Sequence, residues 1–190
     1  ILFGNERIAP RAAQSSCVVS TGAHFGKTFL NAEGYQLEIE TNADPHYDAN
    51  GLGRVHKAGC PGALCLSVPF PSHPNYVLEN PNPTAMSLCC YAEKDGKTLL
   101  SAENYAKHTL ISSESGENTA SAVFEVTLSD EITVTQTYAV SEKGVDISLS
   151  GCRNVGFMLP VFDFDGAAHT KITVTAHSVS TECMGSICTY

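Results

Sequence analysis

The sequence contains no tryptophan, and aromatic residues of every kind fill only 8% of its 190 positions. Stand-alone sugar-binding modules stack pyranose rings on exposed aromatic side chains, so this scarcity counts against a module of that sort. Charge is also sparse, at 16% of residues, which argues against a long solvent-exposed helix. Basic side chains are the rarer sign. Eleven Lys and Arg face 20 Asp and Glu, for a formal net charge of −9, and the pI near 5.1 offers no footprint for a polyanion. Nucleic acid is therefore not an expected partner. The longest apolar runs, AMSLCCYA at 85–92 and VGFMLPVF at 155–162, fall well short of the ~20 residues needed to cross a bilayer as a helix. No membrane partner is expected either. Finally, no segment carries a convincing 3.6-residue period and no internal repeat is visible, although LLSAENYAKH at 99–108 has room for a turn or two.

What the sequence does have is alternation. From Ser121 onward AVFEVTL, EITVTQTYAV, GVDISLS and KITVTAHSVS switch apolar with polar residues and are rich in Val, Ile and Thr, the period-two pattern of half-buried strands. Turn residues punctuate them: Ser129-Asp130, Ser141-Glu142-Lys143-Gly144 and, further upstream, Asp95-Gly96. Short strands separated by such turns predict an all-β, antiparallel β-sandwich with little helix. A length of 190 residues suits a single sandwich domain spanning 1–190. The opening ILFGNERIAP has no basic leader and no hydrophobic signal core, so the chain is expected to be a piece of a longer protein.

The first half is less regular. Residues 16–21, YQLEIET at 35–41 and GALCLSVPF at 62–70 are strand-like, and PFPSHPNYVLENPNPT at 69–84 carries five prolines, which predicts an irregular surface excursion. Between residues 41 and 62 the text NADPHYDANGLGRVHKAGCPG reads as one long connection, of a length that is usually functional or disordered in a compact domain.

Eight cysteines are present, none in a CxxC and none spaced with His as in a zinc finger. Several lie in apolar text such as GALCLSV and SLCCYA, where a reduced Cys behaves as a small core hydrophobe. The expectation is a mostly reduced set and a cytoplasmic protein, with Cys183 and Cys188 the exception to watch; an oxidised framework would instead mean secretion or a periplasmic location. If the segment around Cys89 and Cys90 is a strand, the two point to opposite faces.

Reactive side chains are densest in the long connection: Asp44, His46, Tyr47, Asp48, Asn50, Arg54, His56 and Lys57, with glycines at 51, 53 and 59. A plain reading is a solvated loop in which Asp and Asn make Asx turns. The functional reading rests on the mixture of imidazole, phenol, carboxylate and guanidinium on a loop, where sites tend to lie.

The text YQLEIETNADPHYDANGLGRVHKAG resembles the region of heparinase II/III-type polysaccharide lyases where a strand leads into a motif of the form HxHxDxNSF. His46 matches the second His, Asp48 the Asp and Asn50 the Asn. Asp44 stands where the first His would be, and Gly51-Leu52 replaces Ser-Phe. The later text ITVTQTYAVSEKGVDISLSG followed by LPVFDFDG is similar to the long-stranded second half of the sandwich that such lyases carry after a helical domain. The resemblance implies a supersandwich-like C-terminal domain preceded by a helical domain of the same protein, acting on uronate-containing glycans by β-elimination. That reaction requires neutralising a carboxylate, removing the neighbouring proton and protonating the leaving oxygen. The resemblance makes His46 and Tyr47 the catalytic candidates, with Asp48 and Asn50 ordering the loop. Asn50, Arg54 and His56 are the candidate contacts to an anionic polysaccharide or oligosaccharide.

No cofactor is required by this chemistry. A structural zinc or calcium competes for the same residues: His46 and Asp48, at i and i+2 of an extended chain, could share a metal with His56 or His73. Asp163 and Asp165 in PVFDFDG are too few oxygens for calcium and suit the close of a strand. His108, His169 and His177 sit in strand-like text and are expected to be structural. There is no GxSxG to support a serine hydrolase. The rival from another class is a non-catalytic carbohydrate-binding or structural β-sandwich module.

Overall fold

The computed structural model describes residues 16–21, 25–44, 47–58, 63–65, 88–103, 105–158, 171–175, 179–183 and 186–189. Every named element among them is a strand, and every pairing is antiparallel. The chain divides into two compact units, Ile1–Leu159 and Pro160–Tyr190.

The first unit holds three sheets. One has the order β1-β2-β3-β4-β5, built from Cys17–Ser20, Lys27–Ala32, Tyr35–Glu40, Gly51–Lys57 and Ala63–Cys65. A second is ordered β11-β10-β9-β8, where β8 is Lys107–Ser115, β9 Ala120–Ser129, β10 Ile132–Ser141 and β11 Gly144–Ser150. The third is small, β12-β6-β7, from Val155–Met158, Cys89–Lys94 and Lys97–Leu100. The two large sheets face one another, with β2 against β9 and β10 and β1 against β8 and β9. This is the sandwich that the alternation predicted.

Alternation explains which side chains meet inside. In β9, Ala120, Ala122, Phe124, Val126 and Leu128 are buried, and in β10 Val134, Tyr138 and Val140, each two residues from the next buried position. From the opposite sheet come Leu30, Ala32, Leu37, Ile39 and Leu52. Phe124 and Tyr138 meet edge to face, with centroids 5.8 Å apart and an interplanar angle of 82°, the geometry that their ring quadrupoles favour. The Tyr138 hydroxyl lies near the Gln136 side chain and the Leu52 backbone, but makes no hydrogen bond of normal geometry. Burial, with Cys90 and Cys89 nearby, pushes its phenol well above the ordinary range.

The turns fall where the sequence placed them. Asp95 and Gly96 both have positive φ, 51° and 73°, and join β6 to β7, the conformation a two-residue hairpin loop needs. Glu33 and Gly34 do the same between β2 and β3. Cys89 and Cys90 do point to opposite faces: Cys90 belongs to the main core, and Cys89 to a small cluster with Ala49, Leu100 and Ala102. Burial pushes the Cys89 thiol up to about 12, and Cys90 moves in the same direction. His108 is structural as expected. It is buried, its Nε2–H donates to the Ser101 carbonyl at 2.9 Å, and desolvation keeps its ring neutral by lowering its pKa. Between β7 and β8 the described residues of the 99–108 segment turn, with Glu103 N–H donating to Leu100 O and Ala106 N–H to Glu103 O.

Strands β2 and β8 were not legible in the sequence, nor was β15, Ser186–Thr189. β2, with Lys27 and Asn31 on its outer face, lacks a long apolar run, and β8 is interrupted by a bulge at Leu110/Ser112 that leaves Ile111 57% exposed. The long connection also needs correction, because its second half, Gly51–Lys57, is strand β4. A bulge opposite Glu38/Ile39 leaves Gly53 unpaired, so Leu52 and Val55 both turn toward the core at a spacing of three, which hides the period.

The second unit is described by itself. It is a meander of β13 (Lys171–Val174), β14 (Val179–Cys183) and β15 (Ser186–Thr189). Its register sets Cys183 opposite Ser186 and Cys188 opposite Thr181. PVFDFDG, the proline-rich stretch 69–84, His73, His169 and His177 lie outside the described residues.

Two substitutions on the same ring pair separate packing from polarity. Phe124→Ala should lose about 3–5 kcal/mol through cavity formation. Tyr138→Phe should be neutral or stabilising, because it removes a buried hydroxyl without a proper partner. Urea unfolding of both variants checks this, and a large loss in Tyr138→Phe would show that the hydroxyl is satisfied after all.

Candidate functional site

The candidate site is the loop from Thr41 to Asn50 and the outer face of the sheet on which it rests. Antiparallel order brings the end of β1, the start of β2, the end of β3 and the start of β4 to one end of the sheet. There the loop is fastened to the β1–β2 connection. Thr41 donates twice to the Gly26 carbonyl, from its backbone N–H at 2.7 Å and from Oγ1 at 2.6 Å. Gly26 has φ +58°, and a Cβ at that position would stand 2.6 Å from Asn42 Cβ, so no other residue fits without a shift.

Inside the loop the polar side chains bond the loop's own backbone. Ala43 N–H donates to Asn50 Oδ1 at 2.8 Å, which ties the two sides of the neck together. Tyr47 and Asp48 N–H both donate to the Asp44 carbonyl, at 2.9 and 2.8 Å, and Ala49 N–H donates to Asp48 Oδ1 at 2.9 Å. Asn50 and Ala49 are buried. The Asx-type bonding that the sequence suggested is present, and it takes up Asn50 and part of Asp48. Tyr47 is 71% exposed.

Beneath the loop lies a group that sequence reasoning missed. Leu37 and Ile39 face the core, so Glu38 and Glu40 face outward, and Lys27 on β2 reaches both. The Lys27–Glu40 contact is 2.9 Å, and the Glu40 side chain is only 6% exposed. Asp48 comes down from the loop close enough to Glu40 for the two carboxyls to act on each other. Burial alone would lower the Lys27 pKa, but the hydrogen bonds to Glu38 and Glu40 outweigh it and hold the ammonium above its usual value. Burial raises the Glu40 carboxyl, Lys27 opposes, and the nearby Asp48 charge raises it further. Asp48 is raised by burial too, against the hydrogen bond from Ala49. Both carboxyls thus keep a proton to higher pH than an exposed carboxyl does. The only sequence trace of this cluster was acid at alternate positions of YQLEIE, which any solvent-facing strand face can show.

The sequence-derived candidates are dispersed. Arg54 is exposed on β4, directly across from Glu38, an opposite-charge cross-strand pair. His56 stands across from Gln36 and Lys57 across from Tyr35, with the Lys57 ammonium 4.7 Å from that ring's centroid. At about 3.3 Å per residue, His56 lies roughly 15 Å along β4 from the loop base. Strand β4 thus carries Arg54 and His56 away from Tyr47, Asp48 and Asn50. His46 and Pro45 lie outside the described residues. Among the described residues, no three His, Cys, Asp or Glu side chains gather to hold a metal ion.

These shifts set a pH dependence. Both carboxyls have folded pKa values above the ordinary 3.8 and 4.5, so the folded state holds protons that the unfolded chain has released. Their stabilising contribution is complete at acid pH and is lost as pH rises through the raised values. Asp48→Asn should flatten that decline, because Glu40 then has no acidic neighbour on the loop. Denaturation midpoints measured across this range for both proteins test it, and parallel pH profiles would show that Asp48 does not act on Glu40. No known protein family, curated protein or solved structure matches the chain.

Proposed function

We propose that this chain is the sandwich part of a polysaccharide lyase of the heparinase II/III type, acting on uronate-containing glycans by β-elimination. In this reading the Thr41–Asn50 loop forms one wall of a saccharide cleft. His46 and Tyr47 serve the reaction from the loop, and the helical domain of the same protein supplies the remaining groups. The observation that carries the reading is Tyr47, 71% exposed on a loop whose backbone is hydrogen-bonded to Asp44, Asp48 and Asn50. A phenol held outward by an ordered loop is positioned for a ligand at little further entropy cost. Asn50 serves by ordering the loop, and Arg54 serves as a more distant contact. A polysaccharide or oligosaccharide is the partner, with no role for nucleic acid or membrane. Among the described residues no helix is long and apolar enough to cross a membrane. A cytoplasmic setting accords with Cys17, Cys89, Cys90 and Cys152 being free thiols.

A second reading is a non-catalytic carbohydrate-binding or structural module. It is favoured by the position of His56, which β4 carries too far from Tyr47 to act with it. The two readings separate in the full-length protein. His46→Ala should reduce kcat for formation of unsaturated product about 10²-fold, followed by ultraviolet absorbance on uronate-containing glycans, with a smaller change in KM. Undiminished turnover in His46→Ala would remove the loop from catalysis and leave the binding module ahead.

A further inference from the structure

Asn31 is a buried polar residue whose amide is bonded at one end only. It lies on β2 directly opposite Cys17 of the edge strand β1. The next pair along, Leu30 and Val18, turns toward the core, so alternation sends Asn31 and Cys17 together to the outer face of the sheet. Their side chains meet there. Asn31 Nδ2 donates to Cys17 Sγ at 3.4 Å, whereas Asn31 Oδ1 is sealed from water and has no hydrogen-bond partner. The residue as a whole is 5% exposed. A buried amide oxygen without a donor is costly, and a native structure that keeps one has a use for it. Cys17 beside it is a free, half-buried thiol.

We infer that Cys17 is a modification site, oxidised by hydrogen peroxide to a sulfenic acid that the Asn31 amide retains. The reaction balances without any other group of the protein. The sulfur attacks one peroxide oxygen, an S–O bond forms as the O–O bond breaks, and the leaving hydroxide takes up the thiol proton to become water. A thiol offers only a weak S–H donor, but a sulfenic acid carries an O–H and extends the side chain by one atom beside the amide. Asn31 Nδ2 continues to hold the sulfur, and the new O–H donates to Oδ1. The amide therefore suits the oxidised side chain better than the reduced one. Cys152 supplies the contrast within the same chain. It is exposed, and its S–H donates to the Arg153 carbonyl at 3.2 Å, an acceptor on its own backbone. Nothing in this inference depends on the glycan reading.

The test is a pulse of hydrogen peroxide on the full chain, stopped with catalase and followed over time by tandem mass spectrometry. One added oxygen that dithiothreitol removes marks a sulfenic acid at each cysteine; a sulfinic acid is not removed. The sulfenic acid at Cys17 should outlast that at Cys152 about 10-fold. Asn31→Ala takes away both ends of the amide and should shorten the Cys17 lifetime to that of Cys152. Thermal midpoints show whether this variant is folded, and if it is not, the comparison of Cys17 with Cys152 in the parent protein decides alone. Absence of removable oxygen at Cys17, a lifetime there no longer than at Cys152, or an unchanged lifetime in folded Asn31→Ala would each overturn the inference.

Discussion

Everything in the first unit depends on two sheets each having one apolar face that must be covered. Leu30 and Ala32 of β2 with Leu37 and Ile39 of β3 close onto Phe124 and Val126 of β9 and Val134, Tyr138 and Val140 of β10. Because side chains alternate along a strand, fixing Leu37 and Ile39 inward also fixes Glu38 and Glu40 outward, and fixing Leu30 inward does the same for Lys27 on its side of β2. A slip of one residue between β2 and β3 would put acids in the core. The polar cluster on the outer face is thus a consequence of the hydrophobic register, and its geometry is as rigid as that register.

The loop above the cluster inherits this rigidity from two directions. Its neck is closed by Asn50 and its start is fastened to Gly26. Its far side is coupled to the sheet through Asp48, whose carboxyl competes with Glu38 and Glu40 for a single ammonium. Glu40 is nearly sealed from water, so burial and the nearby Asp48 charge raise its carboxyl while the Lys27 ammonium opposes them. The outward presentation of Tyr47, on which the functional reading turns, follows from these bonds inside and beneath the loop.

The sequence made the second half of the sandwich legible because β9, β10 and β11 are long, regular and half-buried, and their turns use residues that suit tight hairpins. It also placed His108 and the opposed cysteines correctly, since both follow from strand geometry alone. The first half was harder for physical reasons. β2 carries Lys27 and Asn31 on its outer face, where Lys27 meets Glu38 and Glu40 and Asn31 meets Cys17, and bulges in β4 and β8 shift the period by one within a single strand. The candidate site was legible only as a concentration of reactive residues. Its division, with Asp48 and Asn50 turned to loop bonding and Arg54 and His56 borne off along β4, depends on the Gly53 bulge. Lys27 was invisible because it comes from a neighbouring strand, and proximity across strands leaves no mark in one sequence.

The central claim is that the Thr41–Asn50 loop is a preorganised part of the sandwich rather than a solvated connection. Native-state amide hydrogen exchange measures this directly at Ala43, Tyr47, Asp48 and Ala49, whose N–H groups donate within the loop. Protection at these four amides should be substantial at mildly acid pH and should fall as rising pH ionises both Glu40 and Asp48. Exchange at the rate of an unstructured peptide across the whole range would contradict it.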